Sequence, residues 1–192
     1  APEAGRPITS LRSLFACAED AGLFFVPFGR LGFSERRLLK VFFQKATKPF
    51  LLARGMFPYR GVIAGLNGPD PASALELGMD ISRLLNVPFH ALYVTLPHEL
   101  RGAEEETQLK ERQNLVYDFE GIYKKKIPFT LREGNPVKEA GRFIADFEKY
   151  LLILLYSRKE RFSVFQPHVP FLIARKASLS TLLVPIEAIY AP

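Results

Sequence analysis

A short apolar run that ends at a concentrated turn is the feature that most constrains the fold of this chain. Residues 62–66, Val-Ile-Ala-Gly-Leu, are apolar without alternation, which is typical of a strand buried on both faces of a parallel sheet. Residues 67–71, Asn-Gly-Pro-Asp-Pro, then predict a tight turn. Beyond the turn, apolar residues recur at helical spacing, at Ala74, Leu77, Ile81 and Leu84. A strand, a turn and an amphipathic helix are typical of the first unit of an open α/β sheet. Such sheets bind ligands at the carboxyl ends of their strands, which here is the 67–71 turn.

Strand and helix patterns continue to alternate after this unit. Further strands are predicted at residues 89–96, 127–131, 150–156 and 182–185, and further helices at 104–126, after Asn135 and at 170–176. Asn135 suits an N-cap and Pro136 suits the first helical position. This order predicts an α/β fold with a doubly wound, five-stranded parallel sheet. The residues expected in its buried core are Ile63, Leu77, Ile81, Leu92, Ile144, Ile153 and Leu183.

The chain before residue 59 repeats part of this pattern. It is predicted to form helix, strand, helix and strand, with the strands at 23–28 and 50–53, and residues 17–29 correspond to residues 145–156. We interpret residues 1–54 as a partial unit, 55–60 as a linker, 61–187 as a complete domain and 188–192 as a tail. Two strands alone would leave an exposed apolar patch, so the partial unit must pack on something. We expect residues 50–53 to lie beside residues 182–185, in the same chain or across a two-fold axis.

Composition narrows the classes of function. The net charge of +6 is dispersed along the chain. The acidic run Glu104-Glu105-Glu106 begins the predicted helix 104–126 and the basic run Lys124-Lys125-Lys126 ends it, which is the arrangement that the helix macrodipole favours. No nucleic-acid-binding motif accompanies the charge, so binding to nucleic acid is not favoured. The single cysteine, Cys17, excludes an intrachain disulfide and is interpreted as a small core residue. No apolar run is long enough to span a membrane, and the first residues lack the apolar core of a signal peptide, so we predict a cytoplasmic protein.

The histidines and serines do not suggest an enzyme. His90 lies within an apolar strand and is interpreted as a core or edge residue, and His98 as a loop residue. With His168, these residues are too far apart in sequence to predict a metal site. Ser157 has no evident histidine and acid partners, so a hydrolytic nucleophile is not expected. We therefore predict no catalytic residue and no metal ligand.

Four short segments, in order, resemble the universal stress protein family. They are Val62-Ile-Ala-Gly-Leu-Asn-Gly68, Ala91-Leu-Tyr-Val94, Arg132-Glu-Gly-Asn-Pro136 and Ser180-Thr-Leu-Leu-Val-Pro185. The resemblance covers residues 59–187 and, for the partial unit, residues 10–54. It implies a universal stress protein-like fold, related to adenine nucleotide alpha hydrolases. It also implies a homodimer, or a tandem pseudo-dimer, that associates through the last strands.

The family also implies a nucleotide site, from which this sequence departs. Members that bind ATP are expected to carry an Asp after the first strand and Gly-x-x-Gly, nine residues, then Gly-Ser/Thr after the fourth. Those glycines let backbone amides approach phosphates. Here Asn67 replaces the Asp, and Tyr156-Ser-Arg-Lys159 replaces Gly-x-x-Gly. His168-Val169 lies near the place of the Gly-Ser/Thr pair. The partial unit keeps Gly29-x-x-Gly32, which by itself predicts little.

These departures lead to one hypothesis and two alternatives. The hypothesis is a non-enzymatic stress-response or regulatory module that acts through association and binds at most a small anionic ligand. The first alternative is a member that binds ATP or AMP in a degenerate pocket, and the second is a basic protein associated with nucleic acid. Arg158, Lys159, Arg161 and His168 could bind an anion, although an exposed basic loop is the simpler interpretation. The candidate ligand residues are Asn67, Gly68, Val94, Ser157, Arg158, Lys159 and His168, with Gly29 and Gly32 in the partial unit.

Overall fold

A mostly parallel β-sheet lies at the centre of the structure, a computed structural model that describes residues 23–27, 40, 43–54, 57–158 and 168–186. The strands of the described residues are β1 Phe24–Pro27, β2 Phe50–Ala53, β3 Gly61–Gly65, β4 Phe89–Thr95, β5 Phe129–Glu133, β6 Tyr150–Ser157 and β7 Ser180–Ile186. The helices described from end to end are α1 Pro71–Leu85, α2 Ala103–Tyr123, α3 Pro136–Ile144 and α4 Val169–Lys176, with a 3-10 turn at His98–Leu100. Residues 40 and 43–45 are also helical. None of these helices is both long and apolar enough to span a membrane.

The sheet order is β1-β2-β7-β6-β3-β4-β5 among the described residues. The strands from β7 to β5 run parallel, which confirms the predicted five-stranded parallel sheet. β2 joins this sheet antiparallel to β7, with Leu51 opposite Leu182, and β1 runs parallel to β2. The expected proximity of residues 50–53 to the last strand is therefore observed within one chain. The division into a partial unit and a complete domain remains a prediction.

Local sequence explains where the helices begin and end. Asp70 caps α1 by accepting a 3.0 Å hydrogen bond from the Ser73 amide. α1 ends at Leu85, and its C-cap residue Asn86 has a left-handed φ of 53°. Asn135 caps α3 as predicted, and its side chain accepts from the amides of Val137 and Lys138. These caps satisfy amides that have no partner inside the helix, so they fix the turns that follow β3 and β5.

The buried face of α1 differs from the predicted stripe. Its buried residues are Ala74, Leu75, Gly78, Met79 and Ser82. Leu84 is 84% exposed, so its place in the predicted apolar stripe was wrong. Gly78 lies on the buried face, and a Cβ there would lie 2.4 Å from the ring of Phe89. A glycine at this position lets the ring of β4 approach the helix closely.

The predicted core residues are divided between the two faces of the sheet. Ile63, Leu92, Ile144 and Leu183 belong to one buried cluster, on the side of α3 and α4. Ile153 belongs to the other cluster, on the side of α1 and α2, against which Leu77 and Ile81 are half-buried. The prediction of one shared core was therefore wrong, because successive side chains of a strand point to opposite faces.

Strand β5 also begins later than predicted, at Phe129 rather than residue 127. The Ile127 amide donates a 2.8 Å hydrogen bond to Glu120 Oε1, so it is engaged by the end of α2 and not by a strand. Several predicted features lie outside the described residues: the first helix of the partial unit, the start of its second helix, Cys17, Arg161 and the 188–192 tail. Of the 55–60 linker, only residues 57–60 are described.

Candidate functional site

The candidate site lies where the chain order of the sheet reverses. β3 and β6 are parallel neighbours there, with β4 beyond β3 and β7 beyond β6. In open α/β sheets, a crevice forms at the carboxyl ends of such strands and commonly holds the ligand. The predicted residues Asn67 and Gly68 follow β3, and Ser157 and Arg158 lie at the end of β6. The topology therefore brings the two halves of the predicted site to the same edge.

Asn67 is bound to the end of β4 by both polar atoms of its side chain. Its Nδ2 donates to the Val94 carbonyl at 2.5 Å, and its Oδ1 accepts from the Val94 amide at 2.9 Å. Both residues were predicted to contact a ligand. The structure brings them together as partners of each other.

Gly68 closes the other side of the crevice. A Cβ at this position would lie 2.6 Å from the backbone carbonyl oxygen of Leu155, so the turn after β3 crosses directly against the backbone of β6. The space that remains between this turn, α3 and α4 is about 20 Å³, close to the room that one water molecule needs. It is lined by apolar side chains such as Leu154 and Ile173.

The backbone groups at the end of β3 are also engaged by the protein itself. The Leu66 amide donates to the Leu92 carbonyl at 2.8 Å. The Leu66 carbonyl accepts from Arg112 Nε of α2 at 3.3 Å. A ligand would have to compete with both of these bonds.

The aromatic ring of Tyr156 occupies the place predicted for the first glycine of a phosphate cradle. Tyr156 is fully buried, and its ring centroid lies 4.6 Å from that of Phe43 and 5.7 Å from that of His168. Burial raises the pKa of its hydroxyl, against the positive charge of Arg158. Among the described residues, the hydroxyl has no hydrogen-bond partner. Its surroundings are therefore those of a core side chain rather than of a phosphate-binding loop.

His168 is the N-cap of α4. It is only 3% exposed, and its Nδ1 accepts from the Phe171 amide at 3.2 Å. Burial lowers the pKa of His168, and a backbone hydrogen bond with Ser157 acts in the opposite direction. A neutral imidazole is required for this cap, because a protonated Nδ1 cannot accept. His168 is thus a structural residue at the helix start rather than a surface cation.

The other histidines lie away from this edge. His90 packs with its ring centroid 5.2 Å from that of Phe147, and burial lowers its pKa. This agrees with its interpretation as a core or edge residue. His98 is exposed in the 3-10 turn after β4. The described residues contain no group of three or more His, Cys, Asp or Glu side chains that could hold a metal ion.

Two arginines that the sequence did not single out link separate elements of the fold, and one of them, Arg101, lies in the loop after β4. Arg101 is nearly buried, and its Nε donates to the Leu96 carbonyl at 2.8 Å. The same guanidinium pairs with Glu106 at 3.3 Å and with Glu133. It thereby links the loop after β4 to α2 and to the end of β5. The only sign of this ion pairing in the sequence is that Arg101 lies close to the run Glu104-Glu105-Glu106.

Arg54 is the second of these arginines, and it lies at the far end of α4. Its guanidinium donates to the carbonyls of Ala177 and, at 3.2 Å, Arg175. Its amide donates to Ser180 Oγ at 2.9 Å, and its carbonyl accepts from the same hydroxyl. Burial lowers the pKa of Arg54 to about 10, so the side chain remains charged at neutral pH. A cation at these last carbonyls opposes the negative end of the helix dipole and fixes β2 to α4 and β7.

The predicted site is thus brought together only in part. Asn67, Gly68 and Val94 meet at the end of β3, and Ser157, Arg158 and His168 lie near one another at the end of β6. Lys159, Gly29 and Gly32 lie outside the described residues, so their predicted roles remain predictions.

Comparisons with known proteins identify the fold. No protein-family model matches the sequence, and no curated protein matches it significantly. A solved structure of a functionally unknown protein from Pseudomonas aeruginosa has a TM-score of 0.64 at 16% identity, and covers 88% of this chain and 64% of its own. A universal stress protein from Archaeoglobus fulgidus has a TM-score of 0.70 at 8% identity, and covers 93% of this chain and 66% of its own.

A third similar structure is a universal stress protein in complex with cAMP. It has a TM-score of 0.50 at 18% identity, over 67% of this chain and 98% of its own. The chain therefore spans about two thirds of the length of the first two proteins and matches nearly the whole of the third. At these identities the likeness is one of fold. The chain has the universal stress protein fold, as its sequence predicts.

Proposed function

We propose that the chain is a non-enzymatic, universal stress protein-like module that acts through association. The observation that carries this proposal is the bidentate pairing of Asn67 with Val94 at the mouth of the crevice. The two backbone groups of Val94 are hydrogen-bonded inside the protein. The crevice keeps its fold but holds its own side chain where a ligand would bind.

The small space beside Gly68 supports the same proposal. Sites for small molecules commonly have volumes of about 300–1,000 Å³. The space beside Gly68 is about 20 Å³. Enlarging it would require the turn to move away from the Leu155 carbonyl, against which Gly68 packs, and would break the Asn67–Val94 pair. Each of these changes costs free energy that nucleotide binding would have to supply.

A second candidate function is the binding of an adenine nucleotide in a degenerate pocket. The observation that favours it is the likeness to a universal stress protein solved in complex with cAMP. Arg158, at the end of β6, supplies a positive charge that an anionic phosphate would favour. In this function the Asn67–Val94 pair would open on binding, and Asn67 would exchange a protein partner for the ligand.

Titration calorimetry with Mg-ATP, AMP and cAMP separates the two functions. If the crevice is closed, none of them should show saturable binding at ligand concentrations up to about 1 mM. A dissociation constant of about 1 mM corresponds to a binding free energy of only about 4 kcal/mol. Mass spectrometry of the protein purified without added ligand should likewise find no retained nucleotide. Micromolar binding, or a retained nucleotide, would overturn the first proposal in favour of the second.

The variant Asn67→Ala tests whether the Asn67 side chain closes the crevice or binds the ligand. If the pair closes the crevice, Asn67→Ala should bind nucleotides no more weakly than the native chain. If Asn67 holds the ligand, the same variant should bind more weakly. Asn114→Ala, at an exposed position of α2, is the matched control and should leave the titration unchanged.

A further inference from the structure

Basic residues are concentrated at the edge of the sheet that lies opposite the crevice. The neighbouring strands β6, β3, β4 and β5 all begin at this edge. The turns before these strands, and the last turn of α1, carry the basic residues Arg60, Arg83, Lys124, Lys125, Lys126 and Lys149. We call this surface the basic edge. Since neighbouring strands lie about 4.8 Å apart, these cations spread over a width of about 14 Å or more.

The acidic side chains at the basic edge do not neutralise it. Asp146 and Glu148 lie in the turn before β6. Glu120 accepts from the Ile127 amide and pairs with Lys126 at 3.1 Å. Within the described part of the chain, no ion pair involves Lys124 or Lys125, and both are exposed. Their charges are therefore available to a partner.

The opposite end of α2 has the opposite charge. The run Glu104-Glu105-Glu106 begins this helix, and the lysine run follows its end. Because the helix has 21 residues, the two runs are separated by about 30 Å. An anionic surface would attract one end of α2 and repel the other, so this charge distribution orients the molecule with the basic edge toward that surface.

Large apolar side chains are exposed next to these cations. Leu84, beside Arg83, is 84% exposed, and Ile122, two residues before Lys124, is 70% exposed. The last turns of α1 and α2 lie side by side, because the Tyr123 hydroxyl donates to Asp80 Oδ1 at 3.4 Å and the Arg83 guanidinium lies 5.7 Å from the Tyr123 ring centroid. Apolar and cationic side chains therefore share one surface.

An open concavity lies at the end of α2 on this surface. It has a volume of about 670 Å³, and its lining includes Tyr117, Ile122 and the three lysines of the run. Gly121 also lines it, and a Cβ at this position would have no neighbour within 4 Å. Volumes of this size accommodate small molecules, so the concavity has room for the headgroup of one lipid.

We propose that the basic edge binds an anionic membrane surface, with its cations at the lipid headgroups and Leu84 and Ile122 inserted into the interface. Peripheral binding of this kind combines buried apolar area with attraction to anionic lipids. The cations lie along the edge of the sheet, as contact with a planar partner requires. This inference goes beyond the proposed function, and it does not depend on the crevice, which is at the other edge.

The exposed side chains favour a membrane over a nucleic acid. A phosphate backbone would also attract the lysines. Proteins that bind single strands commonly stack bases on aromatic rings, however, and Leu84 and Ile122 have no ring. An aliphatic side chain beside a lysine suits the boundary between headgroups and acyl chains.

The test uses the full chain and vesicles of phosphatidylcholine with about 30% phosphatidylserine, at an ionic strength of about 0.1 M. The chain has no tryptophan, so Ile122→Trp introduces a single reporter at the basic edge. Its emission should shift to the blue on these vesicles and not on phosphatidylcholine alone, because the indole enters the interface. Leu100→Trp is the matched control, since Leu100 is 68% exposed in the loop after β4, and its emission should not shift.

Co-sedimentation of variants with the same vesicles separates the basic edge from net charge. The pair Lys124→Gln and Lys125→Gln should weaken binding by about fivefold for each lysine removed. Lys48→Gln with Lys138→Gln is the matched control, because these exposed lysines precede β2 and begin α3, at the crevice end of the sheet. This pair removes the same charge and should change the affinity by less than about twofold. Leu84→Ser should weaken binding by about fivefold, because it removes apolar area from the interface.

Three outcomes would overturn the inference. The first is no binding to the phosphatidylserine vesicles, including the case in which a single-stranded RNA binds the basic edge instead. The second is an equal loss for the two lysine pairs, which would make net charge the cause. The third is an equal emission shift at positions 122 and 100. All the substituted side chains are exposed, so an unchanged unfolding midpoint verifies that each variant folds. The nucleotide titrations contain no lipid, so either proposal can fail without the other.

Discussion

The side-chain amide of Asn67 makes the same two hydrogen bonds with Val94 that a neighbouring strand residue would make with its backbone. Nδ2 donates to the carbonyl at 2.5 Å and Oδ1 accepts from the amide at 2.9 Å. Only an amide side chain of this length offers one donor and one acceptor in this arrangement. The pair therefore explains why asparagine, rather than aspartate, suits this position in a closed crevice.

Asn67→Asp should destabilise the protein by about 1–3 kcal/mol, the cost of leaving a buried carbonyl without its donor. The carboxylate can still accept from the Val94 amide, but it faces the Val94 carbonyl with a second acceptor. Urea unfolding at neutral pH measures the loss. The loss should shrink as the pH approaches about 4, where a carboxyl group regains a proton that it can donate. Asn114→Asp adds the same charge at an exposed site, and an equal loss there would refute the explanation.

Gly68→Ala should also destabilise the protein, by about 1–3 kcal/mol for a contact that cannot relax. The added methyl would meet the Leu155 carbonyl oxygen at 2.6 Å, and this backbone group is fixed within β6. Gly141→Ala is the control, since a Cβ there has no neighbour within 4 Å. It lies inside α3, so the substitution should stabilise by about 0.5–1 kcal/mol. Thermal unfolding of the two variants should therefore shift in opposite directions.

His168 should make the stability of the protein depend on pH. Burial lowers the pKa of His168 in the folded state, so the neutral form is favoured there. The stability that neutral His168 contributes is fully present above the pKa of about 6.5 that histidine has in the unfolded chain. It is lost progressively as the pH falls below that value toward the lower pKa of the folded state. His90, whose pKa burial also lowers, contributes to the same window.

The variant His168→Asn isolates this dependence, because asparagine can cap a helix but does not titrate. The free energy of unfolding, measured from pH 7.5 to 5, should fall less steeply in this variant than in the native protein. His98→Asn is the control, since His98 is exposed, and it should keep the native slope. A variant slope equal to the native one would remove His168 as a cause.

The order of strands and helices could be predicted from the sequence, because it depends on local patterns. The apolar run before Asn67, the cap at Asn135 and Pro136, and the sequence of the last strand each carry their own signal. The buried face of α1 could not be predicted in the same way. It depends on tertiary packing, in which Phe89 of the following strand lies close to Gly78.

The state of the candidate site was harder to predict than its place. The sequence located the crevice at Asn67 because the turn after a buried strand is recognisable. It did not show that Asn67 binds Val94, since this bond depends on how two neighbouring strands end. Arg54 was missed for a similar reason, because its partners Ala177 and Ser180 lie more than 120 residues away in sequence. Arg54 reaches these partners because β2 pairs with β7, and the periodicity of apolar residues does not reveal which strands are neighbours.

Arg54→Met should destabilise the protein by about 1.5–3 kcal/mol, the range for hydrogen bonds made by a charged group. Methionine keeps much of the apolar stem but cannot donate to the carbonyls of Ala177 and Arg175. Faster amide exchange in the last turn of α4 should accompany the loss. Arg60→Met, at an exposed arginine, should change the free energy of unfolding by less than about 0.5 kcal/mol. Equal losses in the two variants would show that charge alone is responsible.

Ile153 and Phe25 provide the last test, since they occupy equivalent positions on either side of the antiparallel β2–β7 pair. Phe25 pairs with Leu51, Leu51 lies opposite Leu182, and Ile153 pairs with Leu182. Ile153→Ala should cost about 2–5 kcal/mol in urea unfolding, because it leaves a cavity between β6, β3 and α1. Phe25→Ala should cost less than about 1 kcal/mol, although it removes a larger side chain, because Phe25 is 66% exposed. A loss below about 0.5 kcal/mol for Ile153→Ala would contradict its place in the core. A large loss for Phe25→Ala would contradict the exposure of its side chain.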